Sequence, residues 1–352
     1  MKSLFVPAVV LLASSTLIAC QSIGPSHVVQ DRFSYADAIS RSWKENILLN
    51  LVKLRYADAP LFLDVASVVE QYSLQGEVSG LGQFPAKNGA NPSSVGGSVQ
   101  WADRPTITYQ PLTGQHFTKS LLTPLGPELI LDLVQAGWPL EAVFRFGVRS
   151  INGIRGAVVT RAKAEPEDPR FQQLIAALQT LQQRGDIGVR REKKGADEEA
   201  FLVIARVDNE QLNDERRIVT DLLGVDPALT EYRLGFGAVS KGKDEIVLLT
   251  RTVLDVLVEL SFDVQVPAEH EADGRVGPPL PRDIHVLSSL HVSSGKDRPS
   301  DAFASVRYDD RWFWIDARDF ASKRTLSFIM ILLALSETGP PAATPSLTLP
   351  AG

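Results

Sequence analysis

The chain has 352 residues, 44% of them hydrophobic, with 36 basic against 42 acidic side chains and a formal net charge of −6. That apolar share is typical of globular proteins and supports a large core, while the mild acidity argues against nucleic-acid binding and against a polybasic hold on anionic lipid. One cysteine excludes a disulfide framework, so stability must come from packing.

The N-terminus carries Lys2 and then an apolar run from Leu4 to Ile18, the n- and h-regions of a secretory signal over residues 1–19. About fifteen apolar residues fall short of the ~20 that a spanning helix needs. The run closes on Leu17-Ile18-Ala19-Cys20, which resembles the lipobox of bacterial lipoproteins. That resemblance implies cleavage before Cys20 and acylation of its thiol and new amino group, palmitate-type chains included. Each buried methylene contributes about 0.8 kcal/mol, so several chains make the attachment permanent. Gln21 stands where inner-membrane lipoproteins carry Asp, which implies the outer membrane and its periplasmic face. A plain signal peptide with an incidental cysteine and a retained membrane helix are the competing readings.

Residues 20–33 are polar, contain Gly24-Pro25, and read as a tether. Ser34 then caps a helix to about Tyr56, with Ile39, Trp43, Ile47, Leu51 and Leu54 as its apolar stripe and Pro60 beyond its end. The segment Leu61 to Leu74 is a buried strand or a short helix, with strand favoured. Residues 76–98 turn to Gly, Ser, Asn and Pro and read as a flexible loop or a long β-turn region. From Ser98 to Gln110 the pattern alternates, broken by Arg104-Pro105, as in sheet-edge strands. Pro127 opens a helix that Gly137 ends, and Ala142 to Val148 reads as a strand.

Farther on, a unit recurs. Asp168 caps a helix with Pro169 at its first position and Gly185 at its end. Strand pairs at 187–192 with 200–206, 231–238 with 245–250, and 302–308 with 311–316 each read as a hairpin followed by a helix. Ile204-Ala205-Arg206, Leu249-Thr250-Arg251 and Asp316-Ala317-Arg318 stand at the three strand-to-helix junctions. They are either coincidence or the trace of a duplicated unit. The helix 325–335 is apolar all round and reads as a buried core helix, and Ser346 to Leu349 as a last strand. The fold class is α+β, with repeated hairpin–helix units around a buried C-terminal helix. Its expected regions are 34–160 and 161–352.

Motifs for chemistry fail on context. Gly237 to Lys243 has phosphate-loop spacing, but Asp244 and a strand follow instead of Ser or Thr and a helix. Ser240 has no nucleophile-elbow geometry in a hairpin turn. Glu269, His270, Glu271 and Asp273 group possible metal ligands in a Pro- and Gly-flanked segment that reads as a solvated loop. His285 and His291 are too far apart along a strand to share an ion. No metal or cofactor is expected.

The segment Asp316 to Arg324 breaks a local rule, because Lys323 and Arg324 sit in a first helical turn that disfavours cations. One reading is an ion-pair knot in which the acids Asp316 and Asp319 bind Arg318 and Arg324. The other is an anion site of Arg318, Lys323 and Arg324 at the helix N-terminus. Trp312 and Trp314 share one strand face with Phe313 on the other, so one side packs the core and the other is a candidate contact surface, as is Trp101.

The stretch Asn46 to Pro60 (NILLNLVKLRYADAP) followed by Phe62 to Val65 is similar to a group of bacterial envelope lipoproteins without an assigned activity, and so is Arg311 to Asp316 running into Ser322 to Thr325. The resemblance implies location and no catalytic residues. The leading expectation is an interaction or scaffold module with a partner protein or peptidoglycan. The alternatives are a periplasmic hydrolase using Asp316 and Asp319, an anionic-ligand binder, or a small-ligand carrier.

Overall fold

The computed structural model describes residues 25–69, 72–80, 95–103, 106–159, 164–194, 197–206, 213–280 and 290–336. The signal segment with Cys20, Arg104-Pro105, His285 and the expected last strand lie outside the described residues. The architecture is α+β, and the chain divides into two units. One runs to Leu61 and resumes at Thr113; the other contains Phe62 to Leu112. Among the described residues no helix is long and apolar enough to cross a membrane.

The first helix, α1 (Pro25–Arg55), starts well before Ser34. Proline opens a helix at no cost, since its missing amide would have had no intrahelical partner. At 1.5 Å per residue its 31 residues span about 46 Å. Its last turns bury Ile47, Leu48, Leu51, Val52 and Leu54, while Ile39 and Trp43 are half-buried. Asn50 is buried as well. Its carbonyl oxygen accepts from the Leu61 amide at 2.7 Å and its amide donates to the Leu61 carbonyl at 2.9 Å, which fixes the chain as it returns past Pro60.

The smaller unit consists of β1 (Leu63–Val69), β2 (Tyr72–Gly80), β3 (Val95–Asp103) and β4 (Thr106–Pro111). β1 pairs antiparallel with β4, and β2 with β3 from Tyr72↔Asp103 to Gly80↔Val95. Strand is therefore the observed state at 63–69 and 72–74. The ladder also runs into the Gly/Ser-rich stretch from both ends, because backbone hydrogen bonds carry the pairing whatever the side chains are.

In the larger unit α2 (Pro127–Gln135) ends at Gly137, whose φ is +88°. The expected strand at 142–148 is instead α3 (Leu140–Gly147). Leu140, Val143, Phe144 and Gly147 recur at helical spacing and are buried, and Gln182 Oε1 accepts from the Leu140 amide at 2.9 Å. Only then does β5 (Val148–Ile151) begin, joined to β6 (Ile154–Arg155) by Asn152-Gly153 with both residues at positive φ. A short pair, β7 (Val158–Val159) with β8 (Ala164–Glu165), precedes α4 (Pro169–Arg184). Asp168 caps α4 through the Arg170 amide, and Gly185 closes it at φ +78°, as the sequence predicts.

β9 (Ile187–Lys194) and β10 (Asp197–Ile204) form the expected hairpin, followed by α5 (Asp214–Leu223). β11 (Glu231–Phe236) and β12 (Glu245–Thr250) are neighbours but run parallel, so the second expected hairpin does not exist. Parallel neighbours ordinarily need a crossover of a dozen or more residues. Here residues 237–244 suffice, since eight residues reach about 27 Å and a six-residue strand is only about 20 Å long. The strap is held by the Ser240 hydroxyl, which lies 2.7 Å from the Gly242 carbonyl and 3.0 Å from that of Glu245. The sheet order is β6-β5-β12-β11-β10-β9.

α6 (Val253–Ser261) begins with a capping box of Thr252 and Asp255, and α7 (Ala268–Ala272) follows. β13 (Ser293–Gly295), β14 (Ala302–Tyr308) and β15 (Arg311–Asp316) form a second sheet in the order β13-β15-β14. The final helix, α8 (Phe320–Ser336), is buried on one face only. Leu326, Phe328, Ile329, Leu332 and Leu333 face inward, with Phe328 against Trp138 and Phe146, while Phe320 is 72% and Leu335 48% exposed. An all-round apolar composition overstated its enclosure.

Candidate functional site

The segment before α8 resolves its rule-breaking cations one by one. Asp319 is the cap of α8: its oxygens accept from the Ser322 amide at 3.1 Å and hydroxyl at 2.6 Å. These bonds, the hydroxyl first, hold the Asp319 carboxyl below the usual carboxylate range. Ser322 Oγ in turn accepts from the His291 amide at 2.7 Å. Lys323 bends back and donates to the Ala317 carbonyl at 2.7 Å, which relieves its conflict with the helix dipole. Arg318 is 80% exposed, with Nε 3.4 Å from Asp316 and Nη2 3.9 Å from Asp301. Arg324 is exposed. The expected knot is realised only between Asp316 and Arg318. Asp319 binds Ser322 rather than an arginine, and Lys323 and Arg318 have different partners.

In β15, Phe313 and Ile315 are fully buried and Trp312 and Trp314 half-buried on the opposite face. Arg298 lies over the Trp312 ring, 5.2 Å from its centroid. Gly295 lets the Trp314 ring lie against β13, since a β-carbon there would meet it at 3.2 Å. Trp101 stands in β3, opposite Leu74 in register.

A third cluster, around α7, departs from the sequence reading. Glu269, Glu271 and Asp273 are exposed as expected of a solvated segment, but His270 between them is 3% exposed. Its Nδ1 is 2.7 Å from the Tyr56 hydroxyl and its Nε2 3.3 Å from Arg275 Nη1. A guanidinium can only donate, so Nε2 accepts and the proton sits on Nδ1, shared with Tyr56. Arg275 also binds Asp309 at 2.9 Å and Asp273 at 2.8 Å. The Tyr56 ring meets His270, Tyr308 and Phe313 edge-on, and its phenol is pushed up to about 12, by burial first and by Asp309 second. Tyr308 donates to Asp58 at 3.3 Å, and burial raises that phenol too.

Beneath this layer Arg55 is buried, donates to the Gly277 carbonyl at 3.0 Å and lies over the Phe262 ring. Burial lowers its pKa. Arg311 pairs with Glu269 on the outside. An open cleft of about 400 Å³ results, lined by Glu269, His270, Arg275, Lys296, Asp309, Asp310 and Arg311. Ligand pockets fall in this size range. Glu269 and His270 entered the sequence reading only as possible metal ligands in a solvated loop, and Tyr56, Arg275, Asp309, Asp310 and Arg311 had no functional part in it. The one local signal there was, Asp309-Asp310, reads as an ordinary turn.

A fourth polar group is structural. Arg251 and Glu259 form a buried ion pair, with Arg251 also donating to the Arg145 carbonyl at 3.2 Å and Arg145 bound to Glu167 at 2.9 Å. The cavity beside them, about 10 Å³, has room for about one water. Among the described residues no three His, Cys, Asp or Glu side chains are gathered to hold a metal ion. Compared with known protein families, curated proteins and solved structures, the chain matches none.

Proposed function

We propose that this chain is an outer-membrane lipoprotein, anchored through acylated Cys20 on the periplasmic face, whose folded body is an interaction module for an envelope protein or for peptidoglycan. The lipobox supports the location. The observation that carries the binding role is the open cleft beside His270, whose Arg275 and Arg311 are held in place by Asp273, Asp309 and Glu269 before any ligand arrives. Preset charges of both signs favour selective recognition over raw affinity. Crosslinking in intact cells, detergent purification and mass spectrometry test the reading. A partner recovered in near-equal amount supports it, and a Cys20→Ser variant should lose both palmitate labelling and membrane recovery.

The second reading, an anion binder or hydrolase at 316–324, rests on the exposure of Arg318 and Arg324. It gains if nothing copurifies and Arg318→Ala abolishes binding of a carboxylate or phosphate ligand without unfolding the protein. For the fold, we infer that β9-β10-α5 and β14-β15-α8 are two copies of one hairpin–helix unit, supported by their common order and by the Ala-Arg dipeptides at Ala205 and Ala317.

A further inference from the structure

The turn joining β14 to β15 holds Asp309 at φ +44° and Asp310 at +59°. A two-residue turn of this hand is least strained with glycine at its second position, so the side chain at Asp310 stands against the steric preference of the backbone. Asp309 is tied to Arg275, but the Asp310 carboxylate is 93% exposed and, among the described residues, binds only Arg307 of its own hairpin, at 2.9 Å. On the same cleft, Lys296 is exposed and has no partner among the described residues.

The remaining lining is already satisfied: Arg311 by Glu269, and Arg275 by Asp273, Asp309 and His270. The cleft thus offers one uncompensated ammonium and one carboxylate with an unused oxygen. Acids in the lining disfavour a polyanion, and Arg275 and Arg311 disfavour a polycation.

We propose that this cleft binds the end of a short zwitterionic peptide, with a free carboxylate received by Lys296 and a free ammonium received by Asp310. The inference deepens the interaction-module reading and rests on it. Such peptide ends occur in cell-wall stems, where they carry D-residues, and in ordinary peptides.

The test is calorimetric titration of the full chain in detergent with acetyl-L-Lys-D-Ala-D-Ala, beside its C-terminally amidated, side-chain-acetylated and all-L analogues. Saturable binding is expected, weakened about tenfold by capping either charge and by Lys296→Gln or Asp310→Asn. Binding should also fall as salt is raised. Asparagine accepts the left-handed backbone at 310, so that variant keeps its fold. A preference for the D-peptide assigns the ligand to the cell wall, and equal binding of the all-L peptide assigns it to peptides generally; both support the proposal. Absence of saturable binding, equal binding of the capped peptides, or indifference to both substitutions overturns it. If binding fails while crosslinking still captures a partner, the ligand assignment falls and the interaction module stands. A bound peptide with no captured partner gives the reverse.

Discussion

Tyr56 and His270 are separated by 214 residues of chain and joined by a 2.7 Å hydrogen bond. Arg275 occupies the other imidazole nitrogen as a donor, so Nε2 accepts and Nδ1 donates its hydrogen bond to the phenol oxygen. Two distant parts of the sequence, at Tyr56 and at 270–275, are locked around one side chain.

Replacing Tyr56 by Phe leaves a buried imidazole N–H without a partner, and should destabilise the protein by about 1–3 kcal/mol in denaturant unfolding. The same substitution should flatten the alkaline limb of stability. A phenol raised to about 12 in the folded state contributes stability that is complete below its ordinary value of 10.0 and is lost as pH climbs between the two. Spectroscopic titration of Tyr56→Phe should show one late-titrating phenol fewer.

Asp319 works in the opposite direction. Its carboxyl is depressed by Ser322, so its contribution is present above the ordinary carboxylate value of 3.8 and is lost as pH falls through the lower folded value. Asp319→Asn keeps a capping oxygen and should remove that acid-dependent loss. Asp319→Ala should cost about 1 kcal/mol at neutral pH by loss of the cap. An unchanged acid limb in the asparagine variant would count against the assignment.

The Arg251–Glu259 pair is buried on both sides. Glu259→Leu alone should cost about 3–5 kcal/mol, because it strands a buried guanidinium. Arg251→Met combined with Glu259→Leu should cost less than either single change. A strictly additive double-mutant cycle would show that the two charges are not coupled.

Strand direction between β11 and β12 is open to a covalent test. Arg233 and Glu245 are register partners in the parallel pair, whereas a hairpin of 231–238 with 245–250 would set Arg233 against Thr250. Strand spacing suits a disulfide between paired positions. Arg233→Cys with Glu245→Cys should therefore crosslink on oxidation, and Arg233→Cys with Thr250→Cys should not.

Much of the larger unit was legible residue by residue. Asp168, Pro169 and Gly185 delimit α4 because capping, a preset φ and a left-handed glycine act within a few positions of themselves. The hairpins β9-β10 and β14-β15 and the buried stripe of α1 are equally local patterns. Where two periodicities compete locally, the pattern misleads: 142–148 reads as a strand, but the burial of Leu140, Val143, Phe144 and Gly147 follows the helix. Asn152-Gly153 between β5 and β6 was a turn signal that the reading passed over.

At the candidate sites the outcome divides the same way. Phe313 inside with Trp312 and Trp314 outside follows from strand alternation. Lys323 could be seen to offend the helix dipole, but not to find the Ala317 carbonyl. His270 looked solvated because both its neighbours are charged, yet a five-residue helix can turn one side chain inward while exposing those beside it.

The sequence by itself determined the α+β class, the ends of α4 and the apolar faces of α1 and β15, since these depend on neighbours within a turn or two. Tertiary structure alone decided that β11 and β12 run parallel, that α8 is covered on one side, and that Tyr56, His270, Arg275 and Asp309 meet. Strand direction depends on the path of a connection and burial on what is packed opposite. A hydrogen bond across 214 residues leaves no mark on the residues beside either partner.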